Sequence, residues 1–242
     1  MFCSLLKNIS KNTNGRDFIC SDIHGHFSIL EGYLASVGFD PVRDRLFCLG
    51  DLIDRGDDSY RSLEFLAKPW FYSIQGNHER MLINVCEQQL DALRFDWFSW
   101  GGDWAEDLTD DELQVYYDAF YKLPVAIELE LKGGNSVALV HAELPDACDW
   151  LDMKTQLTQT RAEDAELNLV ISDMLWKKSQ AYYSTIEVFQ IENVSNIHHV
   201  FHGHTVMDEF LTIGNRTFMD LGSYKTGEIG LIDVERFLES LK

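Results

Sequence analysis

Residues 17–26 read DFICSDIHGH and place polar residues directly after an apolar run. The first four residues predict a short buried strand over 17–20. An acid and two imidazoles follow directly, at Asp22, His24 and His26. Charged groups beside a core are costly to desolvate without partners, so these side chains either bind something or face water. A single hexapeptide, SDIHGH, leaves both alternatives open.

A short strand followed by a helix recurs through the first third of the chain. The sequence predicts strands over 17–20, 45–49 and 70–75, which alternate with helices over 27–37, 58–67 and 78–90. This order is typical of an α/β sheet covered by helices.

The remainder of the chain combines helical and strand-like segments. Residues 95–123 and 150–190 read as mostly helical, and glycine-rich hairpin turns are predicted at 133–135 and 214–215. Strands are expected over 125–131, 136–140, 198–201, 210–213, 216–220 and 229–233. Without a linker or repeat, the sequence predicts one domain, 1–242, with a two-layered β core and helices outside.

Polar side chains follow five of the predicted strands. Ligands in α/β sheets lie beyond the carboxyl ends of strands, so we expect these groups to converge. Asp, Asn and His without Cys suit Mn²⁺, Fe or Zn²⁺, and more than four ligands indicate two ions, a typical arrangement for in-line phosphoryl hydrolysis. The residues are Asp22, His24, Asp51, Asn77, His78, His141 and His204.

Composition limits the class of protein further. The 242 residues carry a formal charge of −20, which argues against nucleic-acid binding through a basic face. No apolar run approaches the roughly 20 residues that a membrane-spanning helix needs. Five widely spaced cysteines form no C-x-x-C pair, so we expect neither a disulfide framework nor a zinc ribbon, but a cytoplasmic protein.

Five ordered sequence elements resemble the phosphoprotein phosphatase family, in particular its bacteriophage lambda-type and bacterial serine/threonine branch within the calcineurin-like metallophosphoesterase superfamily. The resemblance extends from Asp22 to about Gly222 and implies a calcineurin-like β-sandwich flanked by helices, of α/β (α+β) class, with the active site at the carboxyl ends of strands. The elements are D-x-H at 22–24, GDLIDRG at 50–56, GNHE at 76–79, His141, and GHT at 203–205.

The resemblance also implies two divalent transition-metal ions, most naturally Mn²⁺, with Fe or Zn²⁺ as alternatives. Asp22 and His24 would bind the first ion, and Asp51 would bridge both. The second site would be completed by Asn77, His141 and His204. A hydroxide held by the two ions would then attack the phosphate in line, without a covalent enzyme intermediate.

Catalytic and substrate-binding roles follow from the same comparison. His78 would donate a proton to the leaving alkoxide, Asp54 would orient its imidazole, and Arg55 would bind phosphate oxygens in a bidentate fork. The family supplies a second phosphate-binding arginine where this chain reads LWKK, at 175–178. We assign that role to Lys178, with Lys177 or a surface role for both lysines as alternatives.

The implied function is a metal-dependent phosphatase acting on phosphoserine and phosphothreonine in proteins or peptides, with phosphotyrosine and aryl phosphates also open. The alternatives are a symmetrical dinucleoside tetraphosphatase or other phosphodiesterase, and a non-catalytic metal-binding module. His26 is expected at the rim of the pocket. The aromatic residues between Phe95 and Trp104 are expected to form core or a peptide-binding surface. The oligomeric state is not predicted by the sequence.

Overall fold

Two β-sheets form the centre of the protein in a computed structural model, which describes residues 4–159, 165–180 and 191–242. The six-stranded sheet has the order β1-β5-β6-β7-β9-β8 and the four-stranded sheet the order β10-β2-β3-β4. The strands are β1 (Leu6–Ile9), β2 (Asp17–Cys20), β3 (Arg45–Cys48), β4 (Phe71–Ser73), β5 (Ala126–Glu130), β6 (Ser136–Val140), β7 (His199–His202), β8 (Leu211–Ile213), β9 (Arg216–Phe218) and β10 (Leu231–Asp233).

Strand direction brings several strand ends to one edge. β2, β3 and β4 are parallel, and β6, β7 and β9 are parallel in the other sheet. β5 and β6 form an antiparallel hairpin through the predicted glycine turn, in which Gly134 has a φ of 85°. The polar residues after β2, β3, β4, β6 and β7 therefore lie on the same side of the molecule.

Helices cover the outer faces of the sheets. They are α1 (Phe27–Ser36), α2 (Ser62–Leu66), α3 (Asn77–Gln88), α4 (Asp91–Ser99), α5 (Asp110–Phe120), α6 (Trp150–Gln159), α7 (Ala165–Trp176), and two C-terminal helices at Ser223–Thr226 and Val234–Ser240. Short 3₁₀ helices occur at Ser59–Arg61 and Gly102–Ala105. In the described part of the chain no helix is both long and apolar enough to cross a bilayer.

Side-chain alternation along the strands creates separate apolar layers. In β2, Ile19 belongs to a cluster with residues of the six-stranded sheet, whereas Phe18 and Cys20 pack with α1 to α5 on the opposite face. β6 shows the same division, with Leu139 in the inter-sheet cluster and Ala138 packed with residues of α6 and α7. The period of two therefore buries both faces of each sheet.

The predicted fold class, a β-sandwich flanked by helices, is confirmed. Most predicted strands and helices are present with shifted ends; the segment expected as helix 58–67 begins as a 3₁₀ turn before α2. β1 and the C-terminal helices were not predicted, because these segments are too short for a clear periodic pattern. The stretch 150–190, expected to be mostly helical, contains α6 and α7, and its parts at 160–164 and 181–190 lie outside the described residues.

Candidate active site

The strand ends deliver six side chains to one place, which we call the ligand cluster: Asp22, His24, Asp51, Asn77, His141 and His204. All six are buried. Three of them, His24, Asp51 and His204, have φ values of 45°, 49° and 63°, in a region that residues other than glycine rarely adopt. Such backbone strain costs on the order of 1–3 kcal/mol per residue and is concentrated at functional sites.

Asp51 lies at the centre of the cluster. Its Oδ2 is 3.5 Å from His24 Nε2, and its Oδ1 is 3.5 Å from His141 Nε2. Two groups of possible metal ligands share this carboxylate, one with His24 and His78 and the other with His141 and His204. Burial alone would raise the pKa of Asp51, but the surrounding imidazoles lower it far below its ordinary value. Asp51 is therefore ionised and positioned to bridge two sites.

Backbone carbonyls fix the orientation of the three imidazoles. His24 Nδ1 donates to the Ile53 carbonyl at 3.1 Å, and His141 Nδ1 donates to the Leu49 carbonyl at 2.7 Å. His204 uses its other nitrogen, Nε2, toward the Trp176 carbonyl at 3.2 Å. Burial lowers the pKa of all three, that of His204 to about 3, so each remains neutral with one lone pair available. A neutral imidazole held in this way is able to bind a metal ion.

The cluster also concentrates negative charge. The carboxylate of Asp22 accepts the His204 N–H at 3.0 Å, and burial together with Asp220 and Asp51 raises its pKa well above the ordinary value. Burial likewise raises the pKa of Asp220 to about 6. Asn77 Oδ1 lies 2.9 Å from His141 Nε2, and both atoms have lone pairs. Buried carboxylates, an amide oxygen and neutral imidazoles are the donors that divalent transition metals bind, so the residues fit such ions.

Glycine allows the carboxylates to approach the backbone closely. A Cβ atom on Gly203 would lie 2.1 Å from Asp22 Oδ1, and one on Gly76 would lie 2.1 Å from Asp51 Oδ1. Either position therefore excludes a side chain. The motifs GHT and GNHE require glycine because a carboxylate of the ligand cluster occupies that space.

Glu79 of the GNHE motif supports the turn that carries Asp51. Its carboxylate accepts the backbone N–H groups of Asp51 at 3.0 Å, Leu52 at 2.7 Å and Gly76 at 2.8 Å. Burial raises its pKa to about 7. This role was not predicted from the sequence, although the position of Glu79 three residues after Gly76 is the capping-box spacing that could have indicated it.

His78 lies beside the cluster and is oriented by Asp54. His78 Nδ1 donates to Asp54 Oδ2 at 2.6 Å, and Nε2 faces the cluster, 3.9 Å from Asp51 Oδ2. Burial would lower the pKa of His78, but Asp51 and Asp54 outweigh it and raise that pKa above its ordinary value. The raised pKa favours a second proton on Nε2, the nitrogen that in this structure accepts from Arg55 Nη2 at 3.0 Å and that would carry the proton when Arg55 binds an anion instead.

Arg55 reaches across the mouth of the cluster. Its Nη1 donates to His24 Nε2 at 2.9 Å, and its Nη2 donates to His78 Nε2 at 3.0 Å. The guanidinium also stacks over the ring of Tyr224, 4.1 Å from its centroid. The backbone N–H of Arg55 donates to the Gly101 carbonyl at 2.9 Å. The guanidinium is therefore held in a position to bind an anion at the ligand cluster.

The two lysines after α7 differ in their surroundings. Lys177 pairs with Asp173 at 3.4 Å and Asp146 at 3.9 Å. Lys178 is exposed, and its positive charge is among the effects that, after burial, lower the pKa of His141 and His204. The charge of Lys178 therefore acts on two histidines of the ligand cluster.

His26, expected at the rim of the pocket, bonds within its own loop. It is half-buried, and its Nδ1 donates to the His24 carbonyl at 2.6 Å. His199 bonds Thr217 Oγ1 at 2.7 Å, and His202 stacks on Phe218, so both histidines pack within the sheet. Of the aromatic run, Trp97 is buried and contacts Asp54, as does half-buried Trp104, whereas Phe95 and Trp100 are exposed.

The fold and the site together define a metal-dependent phosphoesterase. The chain belongs to the calcineurin-like phosphoesterase family, whose sequence profile matches residues 18–208. It is 30% identical over 221 residues to serine/threonine-protein phosphatase 2 of Escherichia coli (strain K12). This alignment covers 90% of this chain and 92% of that protein. The resemblance to bacterial serine/threonine phosphatases is thereby confirmed.

A second group of relatives shares the same scaffold. The chain is 29% identical over 167 residues to a symmetrical bis(5'-nucleosyl)-tetraphosphatase of Methylococcus capsulatus, across 68% of this chain and 54% of that protein. A crystal structure described as that of a proposed diadenosine tetraphosphatase matches with a TM-score of 0.60 at 19% identity, over 93% of this chain and 92% of that chain. The latter likeness supports the fold alone.

Proposed function

We propose that the protein is a metal-dependent phosphoprotein phosphatase that hydrolyses phosphate monoesters of serine and threonine in proteins or peptides, with phosphotyrosine and aryl phosphates as further substrates. The observation that carries this proposal is the buried contact of His78 with Asp54 beside the ligand cluster. A serine alkoxide is a poor leaving group and needs a proton, which an oriented imidazolium supplies.

The ligand cluster would hold two divalent ions, which we propose to be Mn²⁺. Asp22, His24 and Asp51 would bind one ion, and Asp51, Asn77, His141 and His204 would bind the other. When bound, the ions supply Lewis acidity that activates water and neutralises charge on the phosphate. Asp51 is suited to the bridging role because both of its oxygens face imidazole nitrogens.

Two cations of the chain would bind the phosphate. Arg55 presents its Nη1 and Nη2 atoms beside His24 and His78, so its planar fork can bind two phosphate oxygens at once. Lys178 would contact a further oxygen as a single-point charge, because Lys177 is already paired with Asp173 and Asp146. These local charges overcome the repulsion of an anionic substrate by a chain of net charge −20.

His78 would transfer its Nε2 proton to the leaving oxygen, and Asp54 would hold the imidazole through Nδ1. Loss of that proton from Nε2 balances the charge that develops on the alkoxide. His78 then regains a proton from solvent before the next turnover. A nucleoside diphosphate leaves as a stable anion and gains much less from this step.

The second candidate is symmetrical hydrolysis of dinucleoside tetraphosphates. It is favoured by the 29% identity with the Methylococcus capsulatus protein over 167 residues. One scaffold can support both reactions, so activity on both classes of substrate has to be measured.

The deciding experiment compares kcat/KM for a phosphoserine peptide, a phosphotyrosine peptide, 4-nitrophenyl phosphate and diadenosine tetraphosphate in the presence of Mn²⁺. We expect the phosphoserine peptide to be hydrolysed more efficiently than the dinucleotide. Preferential conversion of diadenosine tetraphosphate into two molecules of ADP would contradict the proposal and favour the second candidate.

A further inference from the structure

We infer that Trp97 and Trp104 are positioning residues for proton transfer, because their indole N–H groups fix the Asp54 carboxylate that orients His78. This inference rests on the proposed role of His78 as proton donor. It assigns a function to two aromatic residues that otherwise belong to the core.

The contacts surround one buried carboxylate. Trp97 Nε1 donates to Asp54 Oδ2 at 2.8 Å, the oxygen that also accepts from His78 Nδ1 at 2.6 Å. Trp104 Nε1 donates to the other oxygen, Oδ1, at 2.7 Å. Asp54 has no solvent exposure, so no bulk water competes for these positions. Each oxygen therefore accepts a hydrogen bond from a neutral indole. Among the described residues, the ion-pair partner of this carboxylate is His78.

Neutral donors are suited to this position because they order the carboxylate without introducing a competing cation. The terminal torsion of an aspartate side chain is soft, so a carboxylate held at one oxygen can rotate. Donors on both oxygens remove this freedom. The backbone N–H of Asp54 donates to Ser59 Oγ at 2.9 Å, which fixes the base of the side chain as well.

Both indoles come from one segment of chain, which runs from α4 into the 3₁₀ helix Gly102–Ala105. A Cβ atom on Gly102 would lie 2.4 Å from Trp97 Nε1, so the backbone passes directly against that ring. The same segment bonds the backbone of Arg55 through Gly101. It therefore supports the proton donor and the phosphate-binding cation from one side.

A purely apolar role for the two rings makes a different prediction. Core packing would affect the stability of every variant and would not distinguish between substrates. A role through Asp54 and His78 would lower kcat where the leaving group needs a proton, and would leave KM and metal content unchanged.

The test uses Trp97→Phe and Trp104→Phe, with Trp150→Phe as the matched control. Trp150 is also buried and donates from Nε1 to a carboxylate, Glu128 Oε2, at 2.7 Å, but it belongs to a separate core cluster. Each change is made in the parent and in the His78→Asn background. kcat and KM are measured with Mn²⁺ on a phosphoserine peptide and on 4-nitrophenyl phosphate, together with bound Mn²⁺ and thermal unfolding.

We expect Trp97→Phe and Trp104→Phe to lower kcat on the phosphoserine peptide roughly 10- to 100-fold, with a smaller loss on the aryl ester. In the His78→Asn background the same changes should cause no further loss, since the group that they position is absent. Trp150→Phe should leave kcat unchanged in both backgrounds.

An equal loss in both backgrounds, or an unchanged ratio of alkyl to aryl turnover, would overturn the inference. Trp104 is only half-buried, so its variant carries the test if Trp97→Phe does not fold. If His78→Asn itself reduces both substrates equally, the proton-donor role fails and the inference fails with it. That outcome is visible from the His78→Asn data alone, so the two failures are distinguishable.

Discussion

The proton-donor assignment predicts a specific kinetic defect for His78→Asn. The imidazole is nearly inaccessible to solvent and bonds Asp54 at 2.6 Å, whereas the backbone N–H of the same residue donates to Asp51 Oδ1 at 3.0 Å. The substitution removes the first contact and keeps the second. We therefore expect both metal sites to remain and the chemical step to slow.

The expected decrease of kcat in His78→Asn equals the usual contribution of general acid catalysis. Losing that contribution slows the reaction roughly 10²–10⁴-fold, or by about 2.7–5.4 kcal/mol of transition-state stabilisation. The full loss applies to a phosphoserine peptide, whose leaving alkoxide needs the proton. Removing one partner of a buried pair also destabilises the fold, by about 3–5 kcal/mol in typical cases. The two indole donors remain on Asp54, so we expect the lower end of that range.

The assay measures kcat on a phosphoserine peptide and on 4-nitrophenyl phosphate, with bound Mn²⁺ determined on the same samples. The expected result is a much larger loss on the peptide at unchanged metal content. Equal losses on both substrates with both ions present would refute the reasoning, because His78 would then bind or position the substrate without donating a proton.

Three further predictions follow from the same site. Lys178→Ala should weaken inhibition by inorganic phosphate, and Lys177→Ala, whose lysine pairs with Asp173, should not; equal inhibition of the two variants would contradict the assignment. The kcat of the parent should fall as pH rises through the raised pKa of His78, since the protonated form is active. If kcat of His78→Asn still fell over the same pH range, His78 would not be the proton donor. Gly203→Ala should reduce Mn²⁺ affinity, because its Cβ atom would lie 2.1 Å from Asp22 Oδ1, and isothermal titration that gave the parent affinity would show that the loop adjusts.

The ligand cluster was accessible from the sequence because its residues follow strands. Asp22 lies two residues after the end of β2, and His141 follows β6 without a gap. Parallel strands end at a common edge, so strand prediction and residue type together were sufficient to group these side chains. The two-layered β core with helices outside was predicted from the same alternation of strands and helices.

The supporting residues were not accessible in the same way. Trp97 and Trp104 are 43 and 50 positions from Asp54, and an indole N–H carries no charge or spacing pattern that marks it as a donor to a buried acid. β1 pairs with β5 across more than a hundred residues, and its four-residue sequence has no distinctive periodicity. Long-range contacts between ordinary core residues require the folded structure.

Counting the bound metal shows whether one carboxylate, Asp51, joins two metal sites. After loading with Mn²⁺ and removal of excess, we expect about two ions per chain in the parent, by the proposed ligand set. Asp51→Asn should lose both ions, whereas Asn77→Ala should keep about one. Full occupancy of Asp51→Asn, or full turnover by parent protein whose metal has verifiably been removed, would contradict the account.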